Sequence, residues 1–91
     1  MHVKILIPTP LRSFVGGLSE VVVEGATVGE ALKSLVQRHG QIQKHLYAED
    51  GKLRSFVNVY VNEDDIRFLE EKETAVKESD EVSIVPAIAG G

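Results

Sequence analysis

Apolar and polar positions alternate through VKILI, with Val3, Ile5 and Ile7 on one face and Lys4 and Leu6 on the other. That period of two predicts a half-buried strand, and Pro8 and Pro10 end it. A long loop with Arg12 and Phe14 then reaches the flexible pair Gly16-Gly17. The β-branched run LSEVVVEG follows, and its composition and glycine borders predict a second strand that pairs with the first as a hairpin. The period next changes: Val28, Ala31, Leu32, Leu35 and Val36 draw one apolar stripe along a helix. Thr27 stands at the N-cap position with Glu30 three residues on, the spacing of a capping box, and Gly40 after His39 is a natural stop. Residues 41–55 carry Ile42 and Leu46 among polar neighbours and then Asp50-Gly51, which predicts an irregular connector with one helical turn before a tight turn. FVNVYVN sets Val57, Val59 and Val61 against Phe56, Asn58 and Tyr60 and is the clearest strand in the chain. Asn62-Glu63-Asp64-Asp65 predicts a polar turn, Ile66-Arg67-Phe68 a short strand, and LEEKETAVKESDE a solvated connection with Leu69, Ala75 and Val76 tucked inward. VSIVP is the last strand.

The predicted order is therefore β, β, α, β, a short β and a final β, without repeats or linkers. One mixed sheet of four to five strands with one main helix would bury these faces, an α+β arrangement that matches the β-grasp of ubiquitin-like domains. The expected division is a β-grasp domain over residues 1–86 and a flexible Gly-Gly tail over 87–91, because Pro86 has no N–H for a sheet ladder.

Ninety-one residues make one domain, and 43% hydrophobic with 26% charged residues is an ordinary globular composition. No stretch reaches a transmembrane length, and MHVKILIPTP lacks the h-region of a signal peptide, so a cytoplasmic protein without a membrane role is expected. The absence of cysteine removes disulfides, a thiol nucleophile, cysteine-ligated zinc and iron–sulfur clusters. The net charge of −4 argues against nucleic-acid or anionic-membrane binding and favours a basic partner surface. His2, His39 and His45 match no metal-ligand spacing and read as solvated or capping side chains. Asn62-Glu63-Asp64-Asp65 lacks the ligand spacing of a calcium loop, and Glu70-Glu71-Lys72-Glu73 reads as a solvated charge run with docking on a basic partner as the alternative. No catalytic set and no metal site can be assembled.

Two features remain. Leu6, Phe56, Tyr60 and Val85 point away from the expected core, so they form either a partner-docking face or a patch covered by loops. The ending VPAIAGG places Ala87, Ile88, Ala89, Gly90 and Gly91 beyond the sheet, with a reach of roughly 17 Å when extended. A Gly-Gly end is slender enough for a narrow enzyme channel, and its one reactive group is the carboxylate. Taken alone, it is as readily a frayed terminus.

DEVSIVPAIAGG, FVNVYVNEDDIRF and IPTPLR together span most of the chain, and they resemble the small sulfur-carrier proteins. That family contains the molybdopterin synthase small subunit, the thiamine-pathway carrier and the carrier of a cysteine synthase, the last being the most similar. The resemblance implies a protein cosubstrate rather than an enzyme. Gly91 would be adenylated by an ATP-dependent activating enzyme of the ubiquitin-activating type and converted to a thiocarboxylate, while Gly90, Ala89, Ile88 and Ala87 enter the partners' active sites. A sulfur carrier without cysteine must hold its sulfur on the backbone end. The acceptor would be a pyridoxal-phosphate cysteine synthase, with a zinc metalloprotease releasing the product, or else the molybdopterin synthase large subunit, the thiamine pathway or tRNA thiolation. ATP, pyridoxal phosphate and zinc belong to those partners, and the free carrier is expected to be a monomer that binds no cofactor. A protein modifier forming isopeptides through Gly91, and a plain interaction domain, are the competing readings.

Overall fold

The computed structural model describes residues 2–54 and 57–86. Five strands, β1 (His2–Leu6), β2 (Glu20–Glu24), β3 (Val57–Val61), β4 (Asp64–Asp65) and β5 (Glu81–Pro86), form one sheet in the order β2-β1-β5-β3-β4. β1 and β2 are an antiparallel hairpin, β1 and β5 run parallel at the centre, and β3 lies antiparallel to both β5 and β4. This is the ubiquitin-like β-grasp that the alternation of apolar residues predicts.

Register explains why the alternating residues bury together. Ile5 sits between Val21 of β2 and Val82 of β5, and Val59 faces Ile84 across the β3–β5 ladder. In-register pairs point to the same side of a pleated sheet, so Val3, Ile5, Val21, Val23, Val57, Val59, Val61, Val82 and Ile84 make one apolar floor. The helix α1 (Val28–Arg38) lies on it with Val28, Ala31, Leu32 and Leu35, all fully buried. A one-residue slip of any central strand would turn this set to solvent, which is what holds the register.

The start of α1 forms as expected, with one difference. The Thr27 hydroxyl accepts the Glu30 N–H at 3.2 Å, but the Glu30 carboxylate reaches back one residue further, to the Ala26 N–H at 3.0 Å. A cap of this kind contributes about 1 kcal/mol. Gly25 precedes it for steric reasons: a Cβ there would stand 2.7 Å from the backbone nitrogen of Ala31. The helix ends at His39, whose N–H bonds to the Leu35 carbonyl, and Gly40 opens a 3-10 turn instead of closing the helix.

The segment before β2 is not a plain loop. Residues Thr9–Val15 form a 3-10 helix whose Leu11 and Val15 are buried, and the left-handed Gly16 at φ 70° ends it. The connector after α1 contains the expected turn as a short helix α2 (Gln43–Leu46), followed by a tight turn with Gly51 at φ 83°.

The expectations for residues 66–76 need correction. Ile66–Phe68 is a 3-10 turn, and pairing with β3 stops at Asp65, because the Asp65 carboxylate accepts the Arg67 N–H at 2.8 Å and turns the chain off the sheet. Ile66 is the buried member of this turn, whereas Phe68 and Leu69 are exposed. Of Leu69, Ala75 and Val76, only Val76 is buried. The other inward residue is Thr74, whose hydroxyl accepts the Glu70 N–H at 3.0 Å and whose carbonyl accepts the Val28 N–H at 3.0 Å. The connection is thus strapped to the start of α1.

Candidate functional site

β5 is the last described element and ends at Pro86. Val57 of β3 faces Pro86, and Asn58 faces Val85, so the strand keeps its partners up to the last described residue. Pro86 offers no N–H to extend the ladder. Ala87, Ile88, Ala89, Gly90 and Gly91 lie outside the described residues, as does Phe56.

Three of the four residues expected on a docking face share one side of the sheet. Leu6 of β1 and Tyr60 of β3 both pair with Ser83 of β5, so the three positions cross the sheet in a row, and Val85 stands two residues further along β5 on the same face. Leu6 and Tyr60 are half-buried, while Val85 is exposed. On β2 the position opposite Leu6 is Glu20, and Val22, also exposed, lies on the same face in the neighbouring row opposite Lys4. Val22 was legible as the outward position of EVVVE, but no partner strand marks it until the hairpin register is known. An ion pair at 3.7 Å between Lys4 and Glu20 and a contact at 3.3 Å between His2 Nε2 and the Glu24 carboxylate frame this face. Pairs this exposed contribute little to stability.

At the root of the tail lies an open cavity of about 410 Å³ with Pro10, Leu11, Val57 and Pro86 as its apolar wall and Lys44 and Arg54 beside them. His45 also lines it and departs from the expectation of a solvated side chain. Its ring stacks on Phe14 with centroids 4.0 Å apart, and its Nε2 is buried with no hydrogen-bond partner among the described residues. Periodicity gave no signal for this contact, because it joins two irregular segments 31 positions apart.

Asp65 and Arg67 form the best-defined ion pair. The guanidinium meets the carboxylate in a fork, at 2.8 Å from Nη2 and 3.2 Å from Nε, and the carboxylate is nearly buried. Hydrogen bonds from the Arg67 side chain and then its backbone N–H hold the Asp65 carboxyl below its ordinary value of 3.8, and the His2 N–H does the same for Glu78. Burial pushes the Tyr47 hydroxyl up. A carboxyl depressed in the folded state adds stability above its unfolded value, and that contribution is lost as pH falls through the folded one. Asp65→Asn is therefore expected to lose less stability than the native chain between pH 7 and about pH 3. Urea midpoints followed by circular dichroism at both values check this, and equal losses would refute it.

Among the described residues no three His, Cys, Asp or Glu side chains are grouped to hold a metal, and no helix is long and apolar enough to cross a membrane. What the described residues present is a partly apolar sheet face, with β5 ending at Pro86.

Comparison with known proteins shows the family and the fold. Residues 5–91 match the model of the ThiS family. The chain is 41% identical to the sulfur carrier protein CysO of Mycobacterium tuberculosis over 93 aligned residues, covering all of both proteins. It is 37% identical over 70 residues to the small archaeal modifier protein 3 of Haloferax volcanii, covering 77% of this chain and 75% of that one. Among solved structures it superimposes on a chain of the Amycolatopsis orientalis BexX/CysO complex with a TM-score of 0.89 and 45% identity, covering 98% and 99% of the two chains.

Proposed function

This chain belongs to the ThiS family, and from that premise we propose that it is a sulfur carrier: a protein cosubstrate, not a catalyst, that takes up and delivers sulfur on its Gly91 carboxylate. The observation that carries this reading is the full-length 41% identity to a protein named as a sulfur carrier. Two further features support it. The chain has no cysteine to hold sulfur, and β5 leads through Pro86 directly to the PAIAGG ending.

A carboxylate does not react with sulfur nucleophiles until an oxygen becomes a leaving group. The Gly91 carboxylate oxygen would attack the α-phosphorus of ATP in the activating enzyme, giving an acyl-adenylate and pyrophosphate. A sulfide sulfur then attacks the carbonyl carbon, the C–O bond to the phosphate breaks and AMP departs, so the net change is one sulfur for one oxygen. Gly90 and Gly91 admit backbone angles and a narrow bore closed to other residues. Ala87, Ile88 and Ala89 would line each partner's channel. By its likeness to CysO, the sulfur would go to cysteine: a pyridoxal-phosphate synthase would use it on an activated serine, and a zinc metalloprotease would free the product. Molybdopterin, thiamine and tRNA thiolation are the alternative destinations. Leu6, Phe56, Tyr60 and Val85 are the proposed docking face for these enzymes.

The test is intact-protein mass spectrometry after incubation with ATP, a sulfide source and the host's activating enzyme. A mass gain matching one sulfur-for-oxygen exchange at Gly91 is expected; no gain, with the enzyme active on another carrier, overturns the reading. In the same assay Val85→Asp is expected to raise KM at least about fivefold, the cost of burying an unpaired charge at an interface. An unchanged KM would remove the sheet face from the docking surface. The relationship to a modifier protein favours one second reading, isopeptide formation on lysines. Cellular conjugates that vanish on deletion of Gly91 would establish it.

A further inference from the structure

The most exposed large apolar side chain among the described residues is not on the sheet face. Phe68 is 84% exposed, and Leu69 beside it is 44% exposed. Both project from a turn that the fold holds firmly from below, with Ile66 buried under it, the Asp65–Arg67 fork before it and Thr74 buried after it. An aromatic ring held outward on a braced turn gives up little entropy when a partner covers it, which is how interface anchors behave.

Charge indicates the partner. Residues 62–73 hold six carboxylates, Glu63, Asp64, Asp65, Glu70, Glu71 and Glu73, against Arg67 and Lys72 alone, a net of −4. The whole chain has the same net charge, so the other residues balance to zero, with eight carboxylates and eight cations. Arg67 is spent on Asp65, and the remaining five carboxylates of the segment are exposed. A nucleic acid or an anionic membrane would be repelled at this place, as would the same segment of a second copy of this chain.

We infer that Phe68 and its acidic surround dock into an apolar slot rimmed by lysine and arginine on the activating enzyme. This rests on the sulfur-carrier reading. That enzyme is the occupant because it acts before any sulfur distinguishes one carrier from another. It therefore meets the bare carrier, with only the folded body and its tail to recognise. The acidic rim steers the encounter, and the ring supplies the contact that holds it.

The experiment is the steady-state kinetics of Gly91 thiocarboxylation with the full chain and the host's activating enzyme, at about 50 and about 300 mM salt. Phe68→Ser is expected to raise KM about tenfold or more with kcat unchanged, since the ring touches no reacting atom. The triple variant Glu70→Gln, Glu71→Gln, Glu73→Gln is expected to raise KM at low salt and to lose most of the native salt dependence. Its melting temperature, and that of Phe68→Ser, should stay within a few degrees of native, because none of these side chains is buried. Loading of the native chain with KM values for both variants within twofold of native overturns the docking inference and leaves the carrier reading intact. Failure of the native chain itself to load overturns both.

Discussion

A single alanine appended after Gly91 is expected to reduce thiocarboxylation below detection while leaving the folded body unchanged. If the carrier reading is right, the body docks on one surface of the activating enzyme and the acyl carbon must arrive at a fixed distance from it. Residues 87–91 set that distance at roughly 17 Å of extended chain. One more residue moves the carboxylate about 3.5 Å further along and puts a Cβ beside it. A displacement of 1 Å at a reacting centre can already cost about a hundredfold in rate. The extended protein should still compete with native carrier for the enzyme, with an inhibition constant near the native KM, because its sheet face and the Phe68 turn are untouched. Mass spectrometry of the product and a competition assay read both effects. Thiocarboxylation of the extended chain without prior removal of the alanine would sink the proposal that Gly91 is the sulfur-bearing residue.

Much of this architecture could be read before any coordinates because the elements that matter most follow strict periods. Val3-Ile5-Ile7 and Val57-Val59-Val61 state a period of two, and Val28 to Val36 a period of 3.6. Burial enforces both, since a strand or helix out of phase would expose its apolar set. The expected tail rests on a different argument, that Pro86 has no N–H with which to extend the ladder, and residues 87–91 lie outside the described residues. The misread segments lack a period. Residues 66–69, IRFL, have the composition of a strand, and two local events decide otherwise, the Asp65 carboxylate closing on Arg67 and Ile66 dropping into the core. Thr74 is buried where Leu69 and Ala75 were expected, because its hydroxyl and carbonyl both have partners in the fold. His45 against Phe14 is a meeting of two irregular segments, and no local rule reports it. The consequence for function is direct. Ile66-Arg67-Phe68 reads in the sequence as a short strand, and that reading hides how far the Phe68 ring stands out from the fold.

The second large effect belongs to the core. Leu32 is fully buried at the middle of α1, on the apolar floor formed by all the long strands. Leu32→Ala is expected to cost about 2–5 kcal/mol, the lost transfer energy of the side chain plus the cavity that remains. Domains of this size hold roughly 5–15 kcal/mol in total, and 1 kcal/mol moves the midpoint by about 4–8 °C. The melting temperature should therefore fall by about 10 °C or more, measured by circular dichroism, and a fall under about 4 °C would mean that the site repacks instead of leaving a cavity. Sulfur loading separates this effect from the others. Well below its lowered midpoint the variant still presents Val85, Phe68 and the tail on the same framework, so its KM and kcat should match native. As temperature approaches that midpoint, loading should fall in step with the folded fraction, because the carrier contributes a shape and one carboxylate and has no chemistry of its own to lose. A loss of kcat at low temperature would instead show that α1 and the sheet it braces control how the tail is presented.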